Sequence, residues 1–367
     1  MQMEQQNDIN FSDLMMGRVV QQTKNLTISN VEKLYISDLF KDDFYLSTNF
    51  SDIEKVLSTI KTLDKNFFYD IYKFSYEDID YAIKVGSKED SEIFDKERIA
   101  LEKLKDKELA PTYLSSGRSE TYAYLLTSFE HGISAKSAGL SVLFDNLELF
   151  AKNLAQLHNE TKSEDNERDY FLESCYSLGS FDIILSEDVF EEMKEVKNFK
   201  TCQQLLKDIK ESIAFQMPDK PEKYSSLCHT HLVPSNILFR ADYADIKFCN
   251  FYNSFTLNPM WDLAFLSIKL DLNKFPQKEK QFLDHYFKHS YLNSDDYSIV
   301  YFKQVAFKVV LFKLVSMYFL KLVIPEDSGS ILDMFKLYGH ISNMVADEFS
   351  EYKETLDEMF GNFSKSI

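Results

Sequence analysis

Between Gly17 and Gly86 the chain has no glycine at all. A β-type stretch falls inside that gap, at about 66–86, and it cannot form a glycine-rich phosphate loop, because backbone amides come close to phosphate only where side chains are missing. Cysteine is equally sparse. Cys175, Cys202, Cys228 and Cys249 show no C-x-x-C spacing, which excludes a zinc ribbon and a disulfide framework and leaves reduced thiols in a cytoplasmic protein. Positive charge is short as well: 41 Lys and Arg stand against 59 Asp and Glu, a formal charge of −18, with no basic block. Such a field repels nucleic acid and anionic membrane surfaces and suits a cationic small molecule or a basic protein partner. The longest apolar run, Val305 to Ile324, is broken by Lys308, Lys313 and Lys321, each costly inside a bilayer, so it reads as a buried helix and no membrane insertion is expected. Met1 to Asp8 is polar, without the basic and apolar regions of a secretory signal. There is no internal repeat and no low-complexity tract.

What remains is ample for folding. Of 367 residues, 44% are hydrophobic and 15% aromatic, including 32 Phe and 21 Tyr, which is the composition of a globular chain too long for one small core.

Residues 1–60 read as a helical extension of short segments, one opened by Ser51-Asp52-Ile53-Glu54 with its capping residues and early acids; it either covers the lobe that follows or serves as an arm for a protein partner. Residues 61–130 read as a small β-rich lobe. Phe67 to Phe74 and Tyr81 to Val85 form a hairpin across a turn at Ser75 to Asp80, a helix runs from Glu92 to Leu104 with Glu97 within it, Ala110-Pro111 breaks the chain, and Thr121 to Phe129 is a strand leading to Glu130-His131-Gly132. Residues 131–367 read as a larger, mainly helical lobe. A helix near Ser141 to His158 carries Leu147, Phe150, Leu154 and Leu157 on one face, further helices occupy 167–215 and 275 onward, and a loop with a short β pair, Ile237 to Arg240 and Ile246 to Phe251 around a turn at Ala241 to Ala244, lies between them.

The motif-bearing stretch is Leu227-Cys228-His229-Thr230-His231-Leu232-Val233-Pro234-Ser235-Asn236, followed by Phe248-Cys249-Asn250-Phe251 and by Asn258-Pro259-Met260-Trp261-Asp262-Leu263-Ala264. It resembles the catalytic half of choline kinases and aminoglycoside phosphotransferases, in which a His-x-Asp-x4-Asn loop precedes an Asp-Phe-Glu or Asp-Trp-Glu segment and a Trp-Asp-Leu-Ala helix start. His229, Asn236, Pro259, Trp261 and Asp262 match in register, and Lys84, Glu97 and Leu157-His158 extend the resemblance over about 65–270. The fold it implies is α+β, two-lobed and protein-kinase-like, with a small β-rich N-lobe and a larger mainly helical C-lobe.

Phosphoryl transfer asks for a lysine on the phosphates, a glutamate holding it, a base near the hydroxyl, and Asp and Asn ligands for magnesium. By the resemblance, Lys84 and Glu97 are the nucleotide-binding pair, His231 stands at the base aspartate, and Asn236 and Asn250 stand at the metal positions, with Tyr252 where a glutamate usually follows. His229 and Asp262 take structural roles in the loop. The resemblance thus implies ATP and magnesium as cofactors, and the substitutions argue against both: a neutral histidine can still accept a proton, but two amides make a poor site for a hard cation normally held by carboxylates.

Three readings follow. The first is a catalytically impaired pseudokinase that binds a small molecule, a nucleotide or a protein through the interlobe cleft. The second is an active kinase of choline, ethanolamine or another amino-alcohol with His231 as its base. The third is a scaffold with a vestigial cleft. His229-x-His231 lacks further ligands at metal-site spacing, His285 and His289 lack the intervening Glu of a zinc-protease helix, Cys228 and Cys249 read as packing residues, and the aromatic rings read mainly as core.

Overall fold

Tyr72, Phe74 and Tyr76 alternate along one strand and Ile83 and Val85 along the next, and a strand's period of two sends such residues to one face of a sheet. The computed structural model describes residues 28–361 apart from 66–68, 90, 120, 177–198, 217–224, 241–243, 271, 273–274, 293–298 and 324–347. In it β1 (Lys61–Lys65), β2 (Tyr69–Tyr76), β3 (Ile79–Ser87), β4 (Tyr113–Arg118) and β5 (Tyr122–Ser128) form an antiparallel sheet in the order β1-β2-β3-β5-β4. Register aligns Tyr72 with Ile83 and Ile83 with Leu126 on one face, and Ile71 with Lys84 and Lys84 with Leu125 on the other.

The first face is covered by α1 (Asn30–Asp42), α2 (Phe44–Asn49) and α3 (Ile53–Thr59). Ile36, Leu39, Phe40, Leu46, Phe50 and Val56 pack there on Tyr72, Phe74, Ile83, Tyr124 and Leu126 as a hydrophobic core of its own. The described part of the N-terminal extension therefore spends its apolar side on the sheet. Its helices begin on side-chain caps: Ser29 and Glu32 form a reciprocal capping box on α1, and Asp52 accepts from the Lys55 amide at 3.0 Å on α3.

The hairpin differs in detail from the sequence expectation. Phe67 and Phe68 lie outside the described residues, and β2 runs on to Tyr76. The expected turn at Ser75 to Asp80 contracts to Glu77-Asp78, with φ of 51° and 62°. A two-residue hairpin needs left-handed backbone at both central positions, usually announced by Asn-Gly or Asp-Gly, and Glu-Asp gives no such notice. Two strands of this sheet carry no sequence signal. β1 is the polar edge sequence Lys-Thr-Leu-Asp-Lys, and β4 carries Ser115, Ser116 and Gly117 in place of an apolar alternation.

α4 (Ser91–Lys103) packs beside the sheet and leads back to it. Past β5 the chain crosses to β6 (Ile133–Ser134) and becomes helical: α5 (Ala135–Ala138), α6 (Leu140–Asp145), α7 (Leu147–Glu160), α8 (Arg168–Tyr176) and α9 (Phe199–Gln216). The single helix expected at Ser141 to His158 is split at Asn146, whose φ of −112° and ψ of 26° leave the helical range. Within the span 167–215, residues 177–198 lie outside the described residues. Gly132, at the crossing, cannot be replaced without movement, because a Cβ there would stand 2.3 Å from the carbonyl oxygen of Phe239.

The remaining elements are β7 (Ser226–Cys228), a 3-10 turn at Pro234–Asn236, β8 (Ile237–Arg240), β9 (Asp245–Phe248), β10 (Phe255–Leu257), α10 (Met260–Lys269), α11 (Pro276–His289), α12 (Ile299–Val323) and α13 (Lys353–Gly361). β9 ends at Phe248, short of the expected Phe251, and the expected turn residues 241–243 lie outside the described residues. α12 holds the long apolar run, buried from Val305 to Ser316, with Lys308 bonded to Ser212 and Glu348. Among the described residues no helix is long and apolar enough to cross a membrane. The architecture is the expected α+β one, with the small sheet over a larger helical lobe.

Candidate functional site: the interlobe cleft

A cavity of about 880 Å³ opens between the lobes. Its roof is the second face of the sheet, with Leu63 and Asp64 on β1, Ile71 on β2 and Ala82 and Lys84 on β3; its back is the crossing from Thr127 to Ser134; and Leu238, Cys249 and Asn250 line it from the large lobe. The roof thus begins at β1, ahead of the hairpin 66–86 that the sequence suggested as the cover.

At the inner end the sequence-predicted residues meet. Glu97 on α4 takes the Lys84 ammonium on both oxygens, at 2.6 and 2.7 Å, and both residues are buried. Glu97 also accepts from the Phe251 amide at 3.2 Å, which ties α4 to the large lobe. Lys84 donates again, to Asn250 Oδ1 at 2.8 Å. An ammonium can only donate, so the Asn250 amide must present its oxygen to Lys84 and its NH2 to the other side. There it donates to Asn236 Oδ1 at 2.7 Å, and Asn236 Nδ2 in turn donates to the carbonyl of His231 at 2.8 Å. Lys84, Asn250, Asn236 and the His231 backbone form one directed run. Asn250 has φ of 68°, a conformation asparagine tolerates better than most residues.

His231 is 0% exposed. Its Nδ1 accepts from Lys269 Nζ at 3.1 Å, and Lys269 also donates to the carbonyl of Thr230 at 2.8 Å. That assignment puts the imidazole proton on Nε2. The ring of Tyr252 lies 6.1 Å from His231, and the ring of Tyr69, from the roof, lies 5.9 Å from Tyr252. Tyr69 also faces Lys84, whose ammonium is 5.1 Å from its centroid. Tyr69 and Tyr252 are both buried, so an aromatic contact between the lobes lies beside His231.

The loop is held from below by Asp262, in the first turn of α10. Its carboxylate accepts from the amides of His229 and Thr230 at 2.7 and 2.6 Å and from His158 Nε2 at 3.1 Å. Burial alone would raise its pKa, but these bonds hold it below the ordinary carboxylate value. Thr230, a β-branched residue, sits at φ of 54°, a conformation that persists only where its surroundings fix it. Burial pushes His229 down to about 4, so it is neutral, with Nε2 donating to the carbonyl of Cys249 at 2.8 Å and Nδ1 accepting from the His231 amide at 3.3 Å. Burial likewise pushes the Cys249 thiol up to about 12 and leaves it inert.

Among the described residues one group of metal-type side chains converges, His158, Cys228 and Asp262. Asp262 is committed to the loop amides, Cys228 Sγ lies 3.5 Å from the carbonyls of Leu257 and Asn258, and His158 Nδ1 is 2.7 Å from the Tyr286 hydroxyl. The group is a hydrogen-bonded brace. Asn236, Asn250, Lys84, Glu97, His229, His231 and Asp262, the set the resemblance implies, are brought together by the fold. The sequence carries no signal for Lys269, at the far end of α10, or for Tyr69, whose ring meets the cleft only through strand pairing.

Residues 131–293 match the model of the ecdysteroid kinase-like family. No curated protein matches the chain in sequence. Similar solved structures include the choline kinase LicA of Streptococcus pneumoniae, at a TM-score of 0.54 and 17% identity over 82% of this chain and 98% of that one. An ethanolamine kinase of Plasmodium vivax gives 0.58 and 14%, over 93% and 96%. A spectinomycin phosphotransferase, APH(9)-Ia, in complex with ADP and spectinomycin, gives 0.50 and 14%, over 77% and 88%.

Proposed function

We propose that this chain, which has the protein-kinase-like fold of the choline kinases and aminoglycoside phosphotransferases, is a pseudokinase: its interlobe cleft binds a small molecule and does not transfer a phosphoryl group. The observation that carries the reading is the run from Lys84 through Asn250 and Asn236 to the carbonyl of His231. Both amide oxygens that would face a magnesium ion already accept hydrogen bonds, one of them from a cation. Magnesium is normally held by carboxylates together with substrate phosphates, and here it would have to break a lysine contact to reach neutral ligands. The residues do not fit the metal, and without it the charge on a transferring phosphoryl group goes uncompensated.

The base position supports the same reading. A general base must come within hydrogen-bond reach of the substrate proton, whereas His231 is fully buried, uses Nδ1 on Lys269 and is not among the residues that line the cavity. The cytoplasm suits a chain in which none of the four cysteines forms a disulfide.

One observation favours the second reading, an active amino-alcohol kinase: the Lys84–Glu97 pair is intact. A transfer assay with radiolabelled ATP, magnesium or manganese, and a panel including choline and ethanolamine separates the two. The pseudokinase gives no product above a protein-free control, and the His231→Asp, Asn250→Asp double variant gains metal-dependent ATP turnover. Product formed by the wild type and lost in His231→Ala would establish the active kinase instead.

A further inference from the structure

The chemistry of the cavity walls narrows the ligand, on the footing that the cleft binds without transferring phosphate. Leu63, Ile71 and Ala82 from the sheet face Leu238 from the other lobe, giving apolar walls on two sides. The margin between them is rich in hydroxyl groups, with Thr127 and Ser128 at the back and Ser134, Ser137 and Ser235 along the large lobe. An apolar slot with a few convergent neutral polar groups is the usual form of a small-molecule site, and 880 Å³ lies inside the usual range of about 300–1,000 Å³.

The charges point against an anion. Asp64, Glu97 and Glu130 line the cavity against Lys84 and Lys136. Lys84 is held by both Glu97 oxygens and by Asn250, and Glu130 is paired with Lys247 at 2.9 Å. A triphosphate would bring several negative charges to a wall with no surplus of cations, where Lys84 is already committed to Glu97 and Asn250, and burying charge without compensation is costly.

We infer that the cleft takes an uncharged ligand of nucleoside size, an apolar ring system bearing hydroxyl groups, and disfavours the corresponding triphosphate whether or not magnesium is present. Isothermal titration of the full chain with adenosine, guanosine, cytidine and uridine, and with their mono- and triphosphates with and without magnesium, tests it. At least one nucleoside should bind, its triphosphate should bind at least about tenfold more weakly, and magnesium should not remove the difference. Leu238→Trp, which fills the slot from the large-lobe wall, should abolish nucleoside binding while leaving the unliganded melting temperature near that of the wild type; should Leu238→Trp lower that temperature, Ala82→Leu fills the slot from the sheet side and serves instead.

The inference is overturned if a triphosphate binds as tightly as its nucleoside, if binding survives filling of the slot, or if none of the four nucleosides binds at millimolar concentration. Each outcome is distinct from failure of the pseudokinase reading, which shows as labelled product in the transfer assay whatever the order of affinities.

Discussion

The ammonium of Lys84, on the small sheet, donates to the side-chain oxygen of Asn250, on the large lobe, at 2.8 Å. This bond joins the lobes, and it makes Lys84 the centre of a cluster with Glu97 and the two asparagines. The cluster accounts for the first two predictions.

Lys84→Met leaves the Glu97 carboxylate buried without its cation. Losing one partner of a buried pair costs about 3–5 kcal/mol, and urea denaturation should show a loss on that scale. The Lys84→Met, Glu97→Gln double variant should recover most of it. If the single variant unfolds at the wild-type midpoint, the pair contributes nothing and the cluster is not what holds α4 in place.

Asn250→Asp should create magnesium dependence where the wild type has none. The aspartate can still accept from Lys84, but its second oxygen then meets the oxygen of Asn236, and a divalent cation between them relieves the repulsion. Millimolar magnesium should raise the melting temperature of Asn250→Asp and leave that of the wild type unchanged, since a ligand stabilises only the state that binds it. An equal response in both proteins would mean that the native amides already hold the ion.

Acid should weaken the fold through His229. Its pKa is held down at about 4 in the fold against 6.5 for an ordinary histidine, so below 6.5 the unfolded chain takes up a proton that the folded one declines. Stability from this group is therefore complete above 6.5 and lost progressively down to about pH 4, by up to about 3 kcal/mol. Asp262 acts lower: its depressed pKa favours the fold above the ordinary carboxylate range and is lost only in stronger acid. Urea midpoints measured between pH 7 and pH 5 should fall more steeply for the wild type than for His229→Gln, which has no proton to take up.

Gly132→Ala should destabilise the crossing between the lobes. The new methyl would stand 2.3 Å from the Phe239 carbonyl oxygen and 2.9 Å from Leu238, so backbone must move. Overpacking of this kind costs about 1–3 kcal/mol, and a melting temperature within error of the wild type would show that the crossing can shift freely.

The loop around His229, Asn236 and Asp262 was legible from sequence because its residues lie close together and their spacing is fixed by one turn and one short β pair. The helix with Glu97 was legible because Ile93, Ala100 and Leu104 recur at helical spacing, and the structure buries Ala100 and Leu104. The hairpin boundaries were not, since Glu77-Asp78 adopts the turn without the residues that usually announce it, and β1 and β4 pair on the sheet's edges with sequences too polar to mark a strand.

The amino-acid sequence by itself determined which residues stand where the resemblance implies carboxylates: His231, Asn250 and Tyr252. Only the tertiary structure decided what those residues contact. Lys84 reaches Asn250 across 166 positions of chain, Lys269 reaches His231 from the far end of a helix, and Tyr69 meets Tyr252 from the other lobe. Such contacts follow from how lobes pack, and packing is set by the whole core, so no local pattern in the sequence could announce that Asn250 is bonded to Lys84 and Asn236 or that the Tyr252 ring lies beside His231.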